Sequence, residues 1–377
     1  MENGITVMAH ICFAQIAPGL ETALADELSE LGIRGRVEPG GVEFSADDRQ
    51  LAEVHLWTRL AGRILLRVVS GSAANLDDLA ATVRRGAWGA FIHPRQIVEV
   101  QATTRSSKLQ HRQTIERKVQ HAITDAMRGP RVSRGRPPRE VQKIFVRILK
   151  DKVEISADAS GELLHRRGWR KNTARAPIRE NLAAAVLRVA QWDPGEPLVD
   201  PMCGSGTFAI EAAGTDGVHA PGLGRTFAFE SWPSAKAPAL KAIRKKASGE
   251  RRAGRTLILA ADRDPAAMAA AGLNARRAGV DGRIIFRETP FHELEPIDGP
   301  GLVVINPPYG RRVGGGGATR IYQGIGRRLR EAWPGWRVAV LVPDRRKIEL
   351  LDLPVEELTT FSNGGIKVHL VAGIVPE

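Results

Sequence analysis

Asn306, Pro307, Pro308 and Tyr309 directly follow the apolar run 301–305, and their atoms suit the activation of an aromatic amine. The exocyclic amino group of a nucleobase is a poor nucleophile, because its lone pair is delocalised into the ring. Two acceptors, the Asn306 side-chain carbonyl and the Pro307 backbone carbonyl, can hold both N–H bonds and favour a geometry in which that lone pair is free. The positive charge that develops on nitrogen is then stabilised by the same oxygens. Pro307 and Pro308 fix φ and so set where the carbonyls point, and the Tyr309 ring offers a face on which a base can stack. The chemistry implied is methylation of a base nitrogen. Four residues alone describe a Pro-rich turn with a packed Tyr equally well, so the sharper meaning requires a methyl donor and a polymer elsewhere in the chain.

Residues 200–206, DPMCGSG, close one apolar strand and open a helix. Gly204 and Gly206 permit positive φ and a close approach of backbone to ligand, and the helix N-terminus offers N–H groups to a carboxylate. No Gly-Lys-Ser/Thr follows, which excludes a phosphate loop, and the glycine pattern is shorter than that of a dinucleotide site. Asp262 ends a second strand, where an acid can accept from ribose hydroxyls. Asp264, just before Pro265, is the better helix cap. A strand with a Gly turn, a strand with an acid and a strand with the NPPY loop, in that order, describe S-adenosylmethionine at the carboxyl ends of the strands with the acceptor base beside its methyl. Direct in-line transfer follows. Asn306 orients and stabilises rather than acting as a base. Cys203 is read as a small packed residue, since a cytosine-C5 mechanism would want Pro-Cys where this chain has Pro-Tyr.

The elements that must position these residues are legible from periodicity. Strands at 198–200, 256–262, 283–286, 302–305 and 338–342 alternate with helices beginning at 207 and spanning 265–278 and 321–332, which predicts an α/β, doubly wound parallel sheet. Segments 355–361 and 367–375 flank Asn363-Gly364-Gly365, a hairpin signal, so the sheet closes with an antiparallel edge pair. Residues 214–254 form an insertion with a Lys/Arg-rich stretch at 236–252. Ahead of this lies an α+β region with helices at 18–31, 51–60, 76–88 and 110–127. Its strands flank Gly40-Gly41 and lie at 63–69, 97–103, 141–149 and 152–157, the last two joined by Lys150-Asp151. RGPRVSRGRPPR, 128–139, has three Pro and five Arg and reads as an irregular, mobile loop, and 164–175 as a basic linker.

The polymer is suggested by charge. Of the formal net charge of +13, residues 1–100 carry 9 Lys and Arg against 13 Asp and Glu, residues 101–175 carry 19 against 7, and residues 176–377 carry 27 against 22. Nearly all the excess lies in one stretch, the footprint expected for a phosphate backbone. Lys108, Arg112, Arg117, Arg166, Arg167 and Arg170 are the candidate RNA contacts. Trp169, set among arginines, either stacks on a nucleotide or packs two domains together. The length of 377 residues favours two or three domains. Only Cys12 and Cys203 are present, which fits a reducing, cytoplasmic setting. No stretch has the apolar length of a spanning helix, and the first residues do not read as a secretory leader, so no membrane role is expected. The nine His, His10, His55 and His93 among them, show no metal spacing, and no metal is implied. The expected state is a monomer.

DPMCGSGTFAIEAA, NPPYG, the linker LHRRGWR and APIREN at 176–181 together resemble the THUMP-domain methyltransferases, in particular the bacterial large-subunit ribosomal RNA guanine-N2 methyltransferases. SSKLQHRQTIERKV at 106–119, FAFESW at 227–232 and the terminal SNGGIKVHL extend the resemblance over nearly the whole chain. It implies a ferredoxin-like domain at 1–70, a THUMP domain at 71–160, a linker at 161–176 and a Rossmann-like class I methyltransferase domain at 177–377. It also implies that Asn306, Pro307, Pro308 and Tyr309 form the catalytic loop. Asp200, Pro201, Met202, Cys203, Gly204, Gly206 and Thr207, with Asp262, Arg263 and Asn306, would hold S-adenosylmethionine. The chain departs from the pattern once. Where an acid after the third strand is expected to accept from the adenine amino group stands Pro290, leaving Glu288, Glu293 or a backbone group as the substitute, with about 0.5–1.5 kcal/mol at stake. The functions implied are guanine-N2 methylation of ribosomal RNA or of tRNA, adenine-N6 methylation of nucleic acid, and, if the departure abolishes catalysis, RNA binding in an assembly role.

Overall fold

A computed structural model describes residues 9–94, 96–127, 141–172, 177–217, 219–235, 237–250, 254–308 and 315–377. The 128–139 loop and Tyr309 lie outside the described residues. The first half contributes β1 (His10–Gln15), α1 (Glu21–Glu30), β2 (Gly35–Glu38), β3 (Gly41–Ala46), α2 (Asp48–Trp57), β4 (Arg63–Ser72), α3 (Leu76–Arg84), β5 (Val98–Arg105), α4 (Arg112–Met127), β6 (Gln142–Leu149) and β7 (Lys152–Asp158). Its strands form one sheet in the order β2-β3-β1-β4-β7-β6-β5, parallel only between β5 and β6. The two expected N-terminal units, 1–70 and 71–160, therefore share a sheet, joined where the long β4 pairs with β7 around a bulge between Arg67 and Val69. β6 alternates buried and half-buried residues along its length, which puts Ile144, Val146 and Ile148 on the helix-covered face. Lys150 and Asp151 join β6 to β7 with φ of 51° and 60°, the left-handed pair that a tight hairpin requires.

The second half contributes α5 (Glu180–Val189), β8 (Leu198–Asp200), α6 (Thr207–Asp216), α7 (Ala237–Gly249), β9 (Ile258–Asp262), α8 (Pro265–Ala278), β10 (Ile284–Glu288), β11 (Leu302–Ile305), α9 (Gly315–Ala332), β12 (Arg337–Val342), β13 (Val355–Asn363) and β14 (Ile366–Ile374). The order β10-β9-β8-β11-β12-β14-β13, parallel as far as β12 and then antiparallel, is the predicted doubly wound sheet with its edge hairpin. β8 and β11 are neighbours on opposite sides of the reversal in strand order, so a crevice opens at their carboxyl ends. Helix α8 follows its signals: Asp264 caps it through the Ala266 N–H at 2.9 Å, Pro265 opens it, and Gly279 closes it at φ 69°.

One face of this second sheet packs α5, α6 and α8 into an apolar core that continues through Leu164, Trp169 and Ile178 into the first half. The other face and α9 enclose a separate core around Tyr322, Trp333 and Trp336. Trp169 is thus a packing residue, buried between the halves with the Arg170 guanidinium 5.3 Å from its ring centroid. Polar contacts reinforce the junction. Asn181 donates to the Leu60 carbonyl at 3.0 Å, Trp232 to Gln142 at 2.8 Å, and Arg188 holds Glu30 through two bonds of 2.7 and 3.0 Å. FAFESW packs on the first half: Phe227 and Phe229 stack at 5.8 Å, and His55 tilts against both. Burial first, then Arg225, lowers the His55 pKa to about 3, so the ring is neutral, donating from Nδ1 to the Leu51 carbonyl and accepting the Ser160 hydroxyl. Among the described residues no helix is long and apolar enough to cross a membrane.

Candidate active site

The Gly turn is held by backbone bonds, one to a neighbouring strand and one within the turn. Cys203 N–H donates to the Ala261 carbonyl at 2.9 Å, which ties the turn to β9, and Gly206 N–H donates to the Cys203 carbonyl at 2.8 Å. Gly204 and Gly206 take φ of 52° and 81°, and a Cβ on Gly206 would lie 3.1 Å from the Ala271 Cβ of α8. Gly206→Ala is therefore expected to cost about 1–2 kcal/mol in urea unfolding, the strain of a left-handed non-glycine residue. An unchanged unfolding midpoint would mean that the turn relaxes around the methyl.

Asp262 organises the adjoining wall. Its carboxylate accepts from the Gly204 N–H at 2.9 Å and the Asp264 N–H at 3.0 Å, joining the ends of β8 and β9, and its remaining lone pairs can face a ligand. Asp200 differs: it is buried, and neither carboxylate oxygen completes a hydrogen bond. Burial, then the neighbouring Asp262 charge, raise its pKa well above the usual range, and the Met202 N–H, outside hydrogen-bond geometry, opposes them weakly. Cys203 is also buried, 3.8 Å from the Met268 sulfur. Burial first, and then the Asp200 and Asp262 charges, keep its thiol protonated and so unreactive.

β11 carries Asn306 to the same place. Val303, Val304 and Ile305 are fully buried, Pro307 is buried after them, and the Asn306 Oδ1 is a buried acceptor with no partner. Asp200, Pro201, Met202, Cys203, Gly204, Ser205, Thr207, Asp262, Arg263, Asn306, Pro307 and Pro308 all line one cavity of about 750 Å³, whereas Gly206 does not and faces Ala271 of α8. The residues fit S-adenosylmethionine: the buried Asp200, without a partner among the described residues, whose ionised form an ammonium group would stabilise, N–H groups at the start of α6 for the ligand's carboxylate, and apolar walls for its flat base. Orphaned buried acceptors cost free energy unless a ligand satisfies them, and here two residues supply them to one space.

Beyond β10 the cavity wall is Pro290, Phe291 and His292; Glu288 and Glu293 do not line it. Neither expected carboxylate stands in this stretch of the wall, which offers backbone groups of the turn instead. Sequence reading missed Phe291, His292, Pro177 and Ile178, and Arg320 and Arg328 on α9. Only the APIREN motif signalled any of these; the others sit in turns or on a helix that touches the cavity from far along the chain.

Of the candidate RNA contacts, Lys108, Arg112, Arg117 and Arg166 are at the surface. Arg167 and Arg170 are corrected. Both turn inward, and neither guanidinium is free for a phosphate. Arg167 bonds Glu211 at 3.4 Å and the Leu164 carbonyl at 2.9 Å; Arg170 meets Glu180 at 3.3 Å and donates to the Thr207 hydroxyl and the Ile178 carbonyl, both at 2.8 Å. Thr207, at the first position of α6, thus has its hydroxyl engaged by the linker while also lining the cavity.

Comparisons with known proteins agree with this architecture. Residues 12–65 match an RlmL ferredoxin-like domain, 73–158 a THUMP domain and 167–371 an RMKL-like methyltransferase domain. A Synechocystis protein named "Putative RNA methyltransferase slr0064" is 32% identical over 95% of both chains. The ribosomal RNA large subunit methyltransferase K/L of Chromohalobacter salexigens is 34% identical over 94% of this chain, which spans about half, 50%, of that relative's length. Among solved structures, SMU.472 complexed with SAH aligns with a TM-score of 0.88 at 28% identity, over 98% of this chain and 99% of that one. A Listeria monocytogenes protein described as a predicted N6-adenine-specific DNA methylase aligns with a TM-score of 0.86 at 28% identity, over 96% of each chain.

Proposed function

Because the chain belongs to the RMKL-like methyltransferase family, carried behind a ferredoxin-like and a THUMP domain, we propose that it methylates the exocyclic N2 of a guanine in large-subunit ribosomal RNA. The coarser activity, S-adenosylmethionine-dependent methylation of RNA, is the family's. The observation that carries the reading is the Asn306 Oδ1, a buried acceptor without a partner in the same cavity wall as the partnerless Asp200 carboxylate. S-adenosylmethionine, when bound, supplies an electrophilic methyl group. Asp200, Gly204 and Asp262 would hold it, with Pro201, Met202, Cys203, Thr207 and Arg263 completing the wall and Gly206 shaping the turn behind it. Asn306 accepts an N–H of the target amine and stabilises the charge that grows on its nitrogen. Pro307, buried and fixed in φ, offers its carbonyl to the second N–H, and Tyr309 would carry the base.

The ribosomal RNA target is supported by the names of the K/L relatives, of which this chain covers half, and the guanine by the resemblance of the combined motifs. Adenine N6 is the second reading, favoured by the description of the Listeria neighbour and by an amide acceptor that any exocyclic amine can use. Incubation of ribosomal RNA with the protein and methyl-labelled cofactor, followed by mass spectrometry of nucleosides, tests both. Label in N2-methylguanosine is expected; label confined to N6-methyladenosine would replace the first reading by the second.

A further inference from the structure

The linker and the start of α5 hold a concentration of positive charge that the inward-turned arginines do not use up. Glu211 is shared by Arg59 and Arg167, Glu180 is taken by Arg170, and Glu162 pairs with the exposed Arg166 at 3.0 Å. Among the described residues, Arg225 donates to the backbone carbonyls of Glu162, Leu163 and Arg166. Arg179 is exposed, caps nothing with its side chain, and has no ion pair among the described residues. Arg179 thus adds charge without a carboxylate partner among the described residues, Arg225 shares the field of the Glu162 carboxylate that pairs with Arg166, and the Arg166–Glu162 bridge is a surface pair of little worth. His165 sits half-buried where Arg166, Arg167, Arg170 and Arg179 all act on it. Burial first, then these four charges, lower its pKa to about 3, so it enters a positive field as a neutral ring with hydrogen-bonding capacity. Such crowding is self-repulsive unless an anion relieves it.

The position of the cluster says which anion. Pro177 and Ile178, immediately before Arg179, line the cofactor cavity, and the Ile178 carbonyl is bonded to Arg170. We propose that Arg166 and Arg179, beside the His165 imidazole, bind a phosphate of the RNA strand at the rim of the cavity, next to the nucleotide being modified. This rests on the methyltransferase reading for the direction from which the strand arrives. The electropositive rim itself does not depend on it. The partner is the sugar–phosphate backbone, so the contact positions the strand and carries no base preference.

Arg166→Glu and Arg179→Glu, singly and together, test the site by fluorescence anisotropy with a fluorescein-labelled RNA hairpin bearing guanosines in its loop, titrated across potassium chloride concentrations. SAH affinity is measured by calorimetry on the same preparations. The double variant is expected to bind the hairpin about tenfold more weakly or worse at low salt, with the slope of log affinity against log salt reduced by about 0.7 per lost contact. SAH affinity should be retained, which also reports that the fold is intact. Arg49→Glu, an exposed charge on α2 outside the cluster, should leave RNA affinity unchanged. Wild-type affinity and slope in the double variant, or an equal loss in Arg49→Glu, would overturn the proposal. Failure of the wild-type protein to bind SAH would instead remove the methyltransferase reading and leave the phosphate site to be judged by the slope.

Discussion

Asn306→Ala is expected to lower kcat by about 10²–10³-fold, the loss typical of removing one preorganised polar group aimed at developing charge. The size follows from the environment of the side chain. Its Oδ1 is buried and makes no bond among the described residues, so it is held ready for an external donor, and the low-dielectric wall magnifies any charge it stabilises. The backbone cannot compensate by drifting, because Ile305 before it is fully buried in a parallel sheet and Pro307 after it is fixed in φ. SAH affinity should stay within about twofold, since Asp200, the Gly turn and Asp262 do not use the amide for their own placement. Single-turnover kinetics with calorimetry separates the two effects. An affinity that fell in step with kcat would move Asn306 from the acceptor base to the cofactor.

How far such a site can be read from residues alone depends on whether its determinants are local. The Gly turn, the Asp264-Pro265 start of α8 and the Gly364-Gly365 hairpin are local, and their conformations are those the residue types require: φ is positive at each of Gly204, Gly206, Gly364 and Gly365. α5 left no such signal. Its residues Glu180 to Leu187 are all buried, so no polar stripe marks a period. β1 is a central strand, paired on both sides, yet it carries only six residues of mixed character, HICFAQ. The continuity of the first sheet was equally hidden, because β4 and β7 pair across eighty or more residues and through a bulge. The sign of a charge, finally, does not disclose its partner. Arg166 and Arg167 are neighbours in one basic run, but one reaches solvent and the other reaches Glu211, 44 residues further along.

The second large effect lies in that buried contact. Glu211 sits on α6, one turn past the Gly turn, with a nearly inaccessible side chain, and holds Arg59 from the first half at 3.2 Å and Arg167 from the linker at 3.4 Å. Arg59 also donates to the His219 carbonyl at 2.5 Å, so the guanidinium is fixed across the junction between the halves. Burial lowers the Arg59 pKa, and Glu211 is the first of the charges that oppose the shift. Glu211→Gln keeps the shape but removes the counter-charge that two enclosed cations share, leaving Arg59 the weaker pull of Glu27. Breaking a buried pair in this way costs about 3–5 kcal/mol, whereas replacing both sides by apolar groups is often neutral. We therefore expect Glu211→Gln to lower the urea midpoint strongly and, because the lost interaction spans the junction, to split unfolding into two transitions. Arg59→Met combined with Glu211→Met should recover part of the loss. A Glu211→Gln variant within about 0.5 kcal/mol of the wild type, the range of ordinary surface substitutions, would show that the apolar core through Trp169 and Ile178 holds the two halves by itself.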